Sequence, residues 1–330
     1  MKSKIDRWRR ALCGCGVLAS ALLVSCGGGT QVAAFAPNRV IAFGDEASVI
    51  DDFRADANGR KYSINGTVSA TDPTLNCKID PLWIQVLANG YGLVFPQCNP
   101  QPNAVASPAS RIRATPGAQV ADIAGQIEEQ IAERPFTATD LVTVLVGQND
   151  ILAQYAQYAT VGEGQLTTNV EAAGTALGEQ INRIANAGAK VLVSTVPDIG
   201  LTPFGMAERA ANTDTDRSAL LTRLTARFNA KMRATILNDG RKIGLILTDE
   251  YFQSIVRFVG LGGFTNVTVG ACDLTKSTLV PPSILDCTDL TLVAGATGAT
   301  YVFADTTHFG SGAQLQLGTL ALTRAQNNPF

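Results

Sequence analysis

The chain has 330 residues, 46% hydrophobic and 16% charged, with a formal net charge of −2 and a single histidine. That length and apolar content suffice for one large core. A slightly acidic chain without a basic cluster has no electrostatic footprint for nucleic acid, so no such partner is expected.

Residues 1–12 carry Lys2, Lys4, Arg7, Arg9 and Arg10, and an apolar stretch follows from Ala11 to Val24. This is the build of a secretory signal, too short and too early for a spanning helix. It ends in Leu23-Val24-Ser25-Cys26, the pattern of a bacterial lipoprotein cleavage site, so residues 1–25 should be removed and Cys26 lipidated. No aspartate follows the cysteine to suggest retention at the inner membrane, which points to export and anchoring at the outer membrane, on its periplasmic or surface face. Acyl burial contributes about 0.8 kcal/mol per methylene, so more than one chain anchors stably. Residues 26–37 then form a tether, and 38–330 a single domain. The removed segment holds five Lys/Arg and one Asp, so the net charge falls from −2 to −6.

Beyond the tether, Arg39-Val40-Ile41-Ala42-Phe43 reads as a short buried strand ending at Gly44-Asp45, after which a helix should begin. Such a corner presents the next side chain, here Glu46, at the top of a sheet, where nucleophiles are often mounted. Apolar runs at 141–146, 190–196 and 243–248 read as further strands. Helical stretches are expected over 118–133, 170–185, 216–236 and Ser311–Arg324; Val170, Ala173, Leu177, Ile181 and Ile184 recur at spacings of three and four. Alternating strand and helix argues for an α/β fold with a mainly parallel sheet covered on both faces. Ligands in such sheets bind beyond the carboxyl ends of the strands. The Gly/Thr/Ser-rich stretch 261–299 reads as an irregular insertion.

Cys13 and Cys15 leave with the signal and Cys26 takes lipid, so Cys77, Cys98, Cys272 and Cys287 remain. An even count in an oxidising compartment reads as two disulfides. Of the three pairings, the local one, Cys77 with Cys98 and Cys272 with Cys287, staples two loop-like stretches. A zinc site built from all four lacks any Cys-x-x-Cys spacing, so no metal is expected. No cofactor is expected either.

Three strand-end corners carry chemistry: Gly44-Asp45-Glu46, Gly147-Gln148-Asn149-Asp150, and Asp305-Thr306-Thr307-His308 with the only histidine. In that order they resemble the blocks of the SGNH/GDSL hydrolase family of serine esterases and lipases: Gly-Asp-Ser, Gly-x-Asn-Asp and Asp-x-x-His. Val193-Ser194-Thr195-Val196-Pro197-Asp198-Ile199-Gly200-Leu201-Thr202-Pro203 also resembles a stretch common in its bacterial members. So do Asn58-Gly59-Arg60-Lys61-Tyr62 and Leu82-Trp83-Ile84-Gln85-Val86-Leu87. The likeness runs from about Arg39 to the C-terminus. It implies a flavodoxin-like three-layer α/β/α sandwich, ester hydrolase activity, and a small-molecule, lipid or acylated-carbohydrate ligand; the chain should act as a monomer. In such a site serine attacks a carbonyl, His308 would take its proton, Asp305 would orient the ring, and the Asn149 amide would donate to the oxyanion.

Glu46 stands where the family has its serine. Attack by a carboxylate on an ester gives an anhydride in place of an acyl-serine. Three readings follow. Glu46 pairs with His308 and the protein is a silent binder; Glu46 or His308 activates a water; or Ser48 replaces the nucleophile. Ser48 lies about 200° around a helix from position 46, so it should face away and satisfy the backbone. The first reading predicts Glu46 within hydrogen-bonding reach of His308, with the imidazole pKa raised above about 6.5. The family's second block supplies a backbone N–H from a glycine. The matching stretch, Asn103 to Arg111, has no glycine, and Pro108 lacks the donor. Gly117, in Thr115-Pro116-Gly117, reads as a turn.

Overall fold

The computed structural model describes residues 34–51 and 56–327. The secretory signal, Cys26 and residues 26–33 of the tether lie outside the described residues.

The β-branched and apolar runs form one parallel sheet. Its strands are β1 (Arg39–Gly44), β2 (Arg111–Ile112), β3 (Asp140–Leu145), β4 (Lys190–Ser194) and β5 (Ile243–Ile246), in the order β2-β1-β3-β4-β5. This is the flavodoxin-like order of a doubly wound sheet. Every neighbouring pair is parallel, with Phe43 opposite Val144 and Val142 opposite Val191. Four of these strands follow from the apolar runs. The fifth, β2, is two residues long, too short to leave a periodic signal.

Side chains alternate across the sheet, as a pleat requires. Ile41, Phe43, Val142, Val144, Val191 and Val193 face one way and pack on α2 (Ile123–Glu133), α4 (Tyr158–Asn186) and α6 (Arg217–Thr235). Val40, Ala42, Leu141, Leu145, Leu192 and Ile246 face the other, against α1 (Trp83–Asn89), α7 (Thr248–Arg257) and α8 (Ser311–Asn327). Each fully buried Val, Leu, Ile or Phe contributes roughly 1.5–3 kcal/mol, so both layers are firmly seated. The result is the expected three-layer α/β/α sandwich. The short helices α3 (Gln148–Tyr155) and α5 (Pro203–Ala211) follow the ends of β3 and β4.

Two local expectations give way. No α-helix follows Gly44-Asp45; Glu46–Ser48 is one 3-10 turn, capped by Asp45, whose carboxylate accepts from the Ala47 N–H at 3.1 Å. Val49 and Ile50 are β-branched and buried, and Ile50–Asp51 pairs with Arg60–Lys61 as a short antiparallel ribbon. The stretch 261–299 is mainly turns, but Asn266–Gly270 (β6) pairs in parallel with Tyr301–Phe303 (β7), the strand that leads into Asp305. Cysteines pair locally, Cys77 with Cys98 and Cys272 with Cys287. Among the described residues, no helix is long and apolar enough to cross a membrane.

Candidate functional site

The site gathers at the carboxyl ends of β1 and β3 and the loop after β7. Gly44 closes β1 with φ +132°, and a Cβ there would sit 1.9 Å from the Leu145 carbonyl oxygen, so only glycine lets the two strand ends meet. The Gln126 side chain clamps this residue, accepting from the Gly44 N–H and donating to its carbonyl, both at 2.9 Å. Gly147, at φ +125°, turns the chain after β3; a Cβ there would meet the Phe228 ring at 2.4 Å. That turn aims Asn149 inward from the first turn of α3.

The Glu46 carboxylate is the hub. Its Oε2 accepts from the Gly117 N–H at 2.8 Å and from Asn149 Nδ2 at 3.0 Å, and Oε1 is 3.3 Å from the same amide. Asn149 Nδ2 also donates to the Ala118 carbonyl at 3.1 Å, and both Asp150 oxygens accept from the Val120 N–H. Asn149 and Asp150 together therefore hold the 117–120 loop so that its glycine N–H points at Glu46. On the other side, His308 Nε2 lies 3.8 Å from Glu46 Oε1. Asp305 Oδ2 holds His308 Nδ1 at 2.7 Å, while Oδ1 accepts from the N–H groups of Thr307 and His308 at 2.9 and 2.8 Å.

Electrostatics follow this layout. Burial alone would raise the Glu46 pKa, but His308, the Gly117 N–H and the Asn149 amide hold it down at about 2. Burial alone would lower the His308 pKa, but Asp305 and Glu46 push it up to about 10. Asp305 is held below its ordinary value against its own burial by His308 and two backbone donors. Asp45 is pushed well above its ordinary value by its burial and by charged Glu46 beside it. Near neutral pH the site is thus a carboxylate–imidazolium–carboxylate row. Among the described residues, no group of His, Cys, Asp or Glu is placed to hold a metal.

The expected residues Glu46, Asn149, Asp305 and His308 converge, with Gly44, Asp45, Gly147 and Asp150 supporting them. Three expectations need correction. A glycine N–H does reach the site: Gly117, in the turn expected of it, donates to Glu46 Oε2, whereas Asn103–Arg111 runs into edge strand β2, where Arg111 pairs with Glu133. Its role escapes the sequence because an N–H is common to every residue but proline. Gln126 leaves a trace, a polar residue among the buried positions Ile123, Ile127 and Gln130 of α2. Ser48 faces away from the cleft as expected, but among the described residues its side chain meets no backbone group; it is fully buried and accepts from Trp83 Nε1 at 3.2 Å. Finally, Glu46 and His308 meet at ion-pair distance, beyond hydrogen-bond range, and Nε2 has no hydrogen-bond partner among the described residues. The cleft they share is narrow, about 30 Å³, and is also lined by Tyr62, Leu145, Gln148, Val196, Pro197 and Phe309.

A family model described as GDSL-like Lipase/Acylhydrolase matches residues 40–319. The chain belongs to this family. No curated protein matches it. Among solved structures, this GDSL-family chain is similar to an extracellular lipase from Streptomyces rimosus, at 15% identity over 88% of this chain and 99% of that one, TM-score 0.42. It is also similar to an acetylxylan esterase from Geobacillus stearothermophilus, at 12% identity over 89% and 96% of the two chains, TM-score 0.44. Likenesses this distant bear on neither the substrate nor the activity of the GDSL-family site described above.

Proposed function

We propose that this GDSL-family protein is silent in ester hydrolysis and is an exported, outer-membrane-anchored lipoprotein that keeps its cleft to bind a small ligand. The observation that carries this reading is the position of Glu46 Oε2, which fills the space between the Gly117 N–H and the Asn149 amide. In an acyl-transfer site those donors would receive the oxyanion of the substrate, typically a stabilisation of about 3 kcal/mol. Here the protein's own carboxylate takes them. The neighbouring imidazole is held protonated near neutral pH, which removes the general base as well.

Purified protein and a Glu46→Ser variant, assayed side by side with a short-chain aryl ester, test this. The natural chain should show no rate above buffer. The variant should gain a rate that disappears when His308→Ala is added, because serine empties the donor pair and places a hydroxyl beside the ring. A His308-dependent rate in the natural chain would overturn the silent reading. The anchor is tested separately: Cys26→Ser should take up no labelled fatty acid, and normal labelling would dispose of the lipoprotein claim.

A further inference from the structure

Glu46 presents its two oxygens unequally. Oε2 takes both strong donors, whereas Oε1 has only the 3.3 Å contact to Asn149 and faces His308 Nε2 at 3.8 Å. That ring nitrogen is buried and has no hydrogen-bond partner among the described residues. Both residues line the same cleft, with the apolar surfaces of Leu145, Val196 and Phe309 around them. One carboxylate oxygen is clamped; the other, with an N–H opposite, looks into shared space.

A carboxylate held this way is a poor acyl acceptor and a good alkyl acceptor. On a carbonyl it gives an anhydride, and the substrate's oxygen finds its donors already taken. On a saturated carbon it gives an ordinary ester, as carboxylate nucleophiles do elsewhere. When that ester is hydrolysed, the developing charge falls on Oε2 itself, where Gly117 and Asn149 already point.

We infer that Glu46 is a nucleophile toward saturated carbon, and that the cleft takes small epoxides and converts them to vicinal diols through a glutamyl ester. This deepens the reading of Glu46 as occupant of the donor pair and rests on it. In the first step a lone pair of Oε1 forms the O–C bond as the strained C–O bond breaks, and the ring oxygen takes the proton of His308 Nε2. The product is a hydroxyalkyl ester of Glu46 beside a neutral imidazole. In the second, water gives a proton to Nε2 while its oxygen adds to the ester carbon. Collapse of the oxyanion breaks the bond between that carbon and Oε1, and the departing alkoxide leaves with the proton of the newly added hydroxyl. Glu46 is again a carboxylate and His308 an imidazolium; the sum is epoxide plus water to diol.

The charges suit this sequence. With Glu46 ionised, His308 is held protonated and acts as the acid. Esterification removes the Glu46 charge, so the ring pKa falls and the same group becomes the base. An epoxide fits better than a halide, because its leaving oxygen stays on the molecule and needs only one proton. Among the described residues, the cleft lining has no Lys, Arg or Trp to hold a halide, and the Trp83 indole N–H is committed to Ser48.

The test is a single turnover of propylene oxide by detergent-solubilised full-length protein, enzyme in excess, in water enriched in heavy oxygen. The isotope should appear in the peptide carrying Glu46, the first-turnover diol should carry none, and Glu46→Gln should lose both diol and label. Diol that carries the isotope while Glu46 does not, or no diol at all, overturns the inference. An aryl ester assayed on the same sample separates the two claims. Ester turnover by the natural chain sinks the silent reading, whereas silence toward both substrates sinks only the epoxide inference.

Discussion

Asp305 and Glu46 bring carboxylates to opposite edges of one imidazole by different constructions. Asp305 works from within a four-residue loop: its partners are the N–H groups of Thr307 and His308 and the His308 ring, all within three positions. Glu46 depends on donors 71 and 103 residues away, delivered by the 117–120 loop and the first turn of α3. A local loop makes most of its contacts wherever the chain places it. The Glu46 corner exists only if β1 and β3 end in register and Asp150 holds the Val120 N–H. The first arrangement orients a ring; the second assigns it a charge.

The comparison can be broken most forcefully at Asp305. Asp305→Ala strips a buried imidazolium of its nearest partner and orphans two backbone donors, which should cost about 3–5 kcal/mol. Urea unfolding measures it, and a loss under about 1 kcal/mol would show that the loop does not depend on its own carboxylate. A gentler change is Glu46→Gln, expected to cost about 2–3 kcal/mol. The amide carbonyl still accepts from Gly117, and Nε2 already lies beyond hydrogen-bond distance. The His308 pKa should fall in this variant, and NMR of the only imidazole in the chain reads it without overlap; an unchanged titration would mean that Glu46 contributes nothing to the ring's charge.

The smallest effect, and the sharpest, is the pH dependence of that stability difference. The Glu46 pKa is depressed from its ordinary 4.5 to about 2, so its contribution is complete above about 4.5 and lost as the pH falls toward 2. The His308 pKa is raised from 6.5 to about 10, so its contribution is complete below about 6.5 and lost as the pH rises toward 10. The gap between natural chain and Glu46→Gln should therefore be widest between about pH 4.5 and 6.5 and shrink on both sides. A gap that widens steadily on either side of that window would show that the two groups are not partners.

Much of this molecule is legible in its sequence because the determining signals are local. Apolar runs a few residues long specify β1, β3, β4 and β5, and the alternation of strand and helix dictates a parallel sheet with two covered faces. Local spacing likewise pairs Cys77 with Cys98 and Cys272 with Cys287. Asp305-x-x-His308 is a short-range device whose purpose can be read from four letters. The Gly44-Asp45-Glu46 corner, too, stands out from the sequence at the end of its strand.

What tertiary structure alone decided is how that glutamate is held. Gly117 serves through a backbone N–H, which has no letter of its own, and its direction follows from a turn at φ +75° that Asn149 and Asp150 position. Ser48 was turned into the core by the single 3-10 turn, because Val49 and Ile50 pull the chain into a ribbon before a helix can propagate. The distance of 3.8 Å between Glu46 and His308 is likewise set by where two unrelated loops come to rest on the sheet. Sequence determines which groups are present and what each can do; their pKa values arise only when burial and distant donors act on them together.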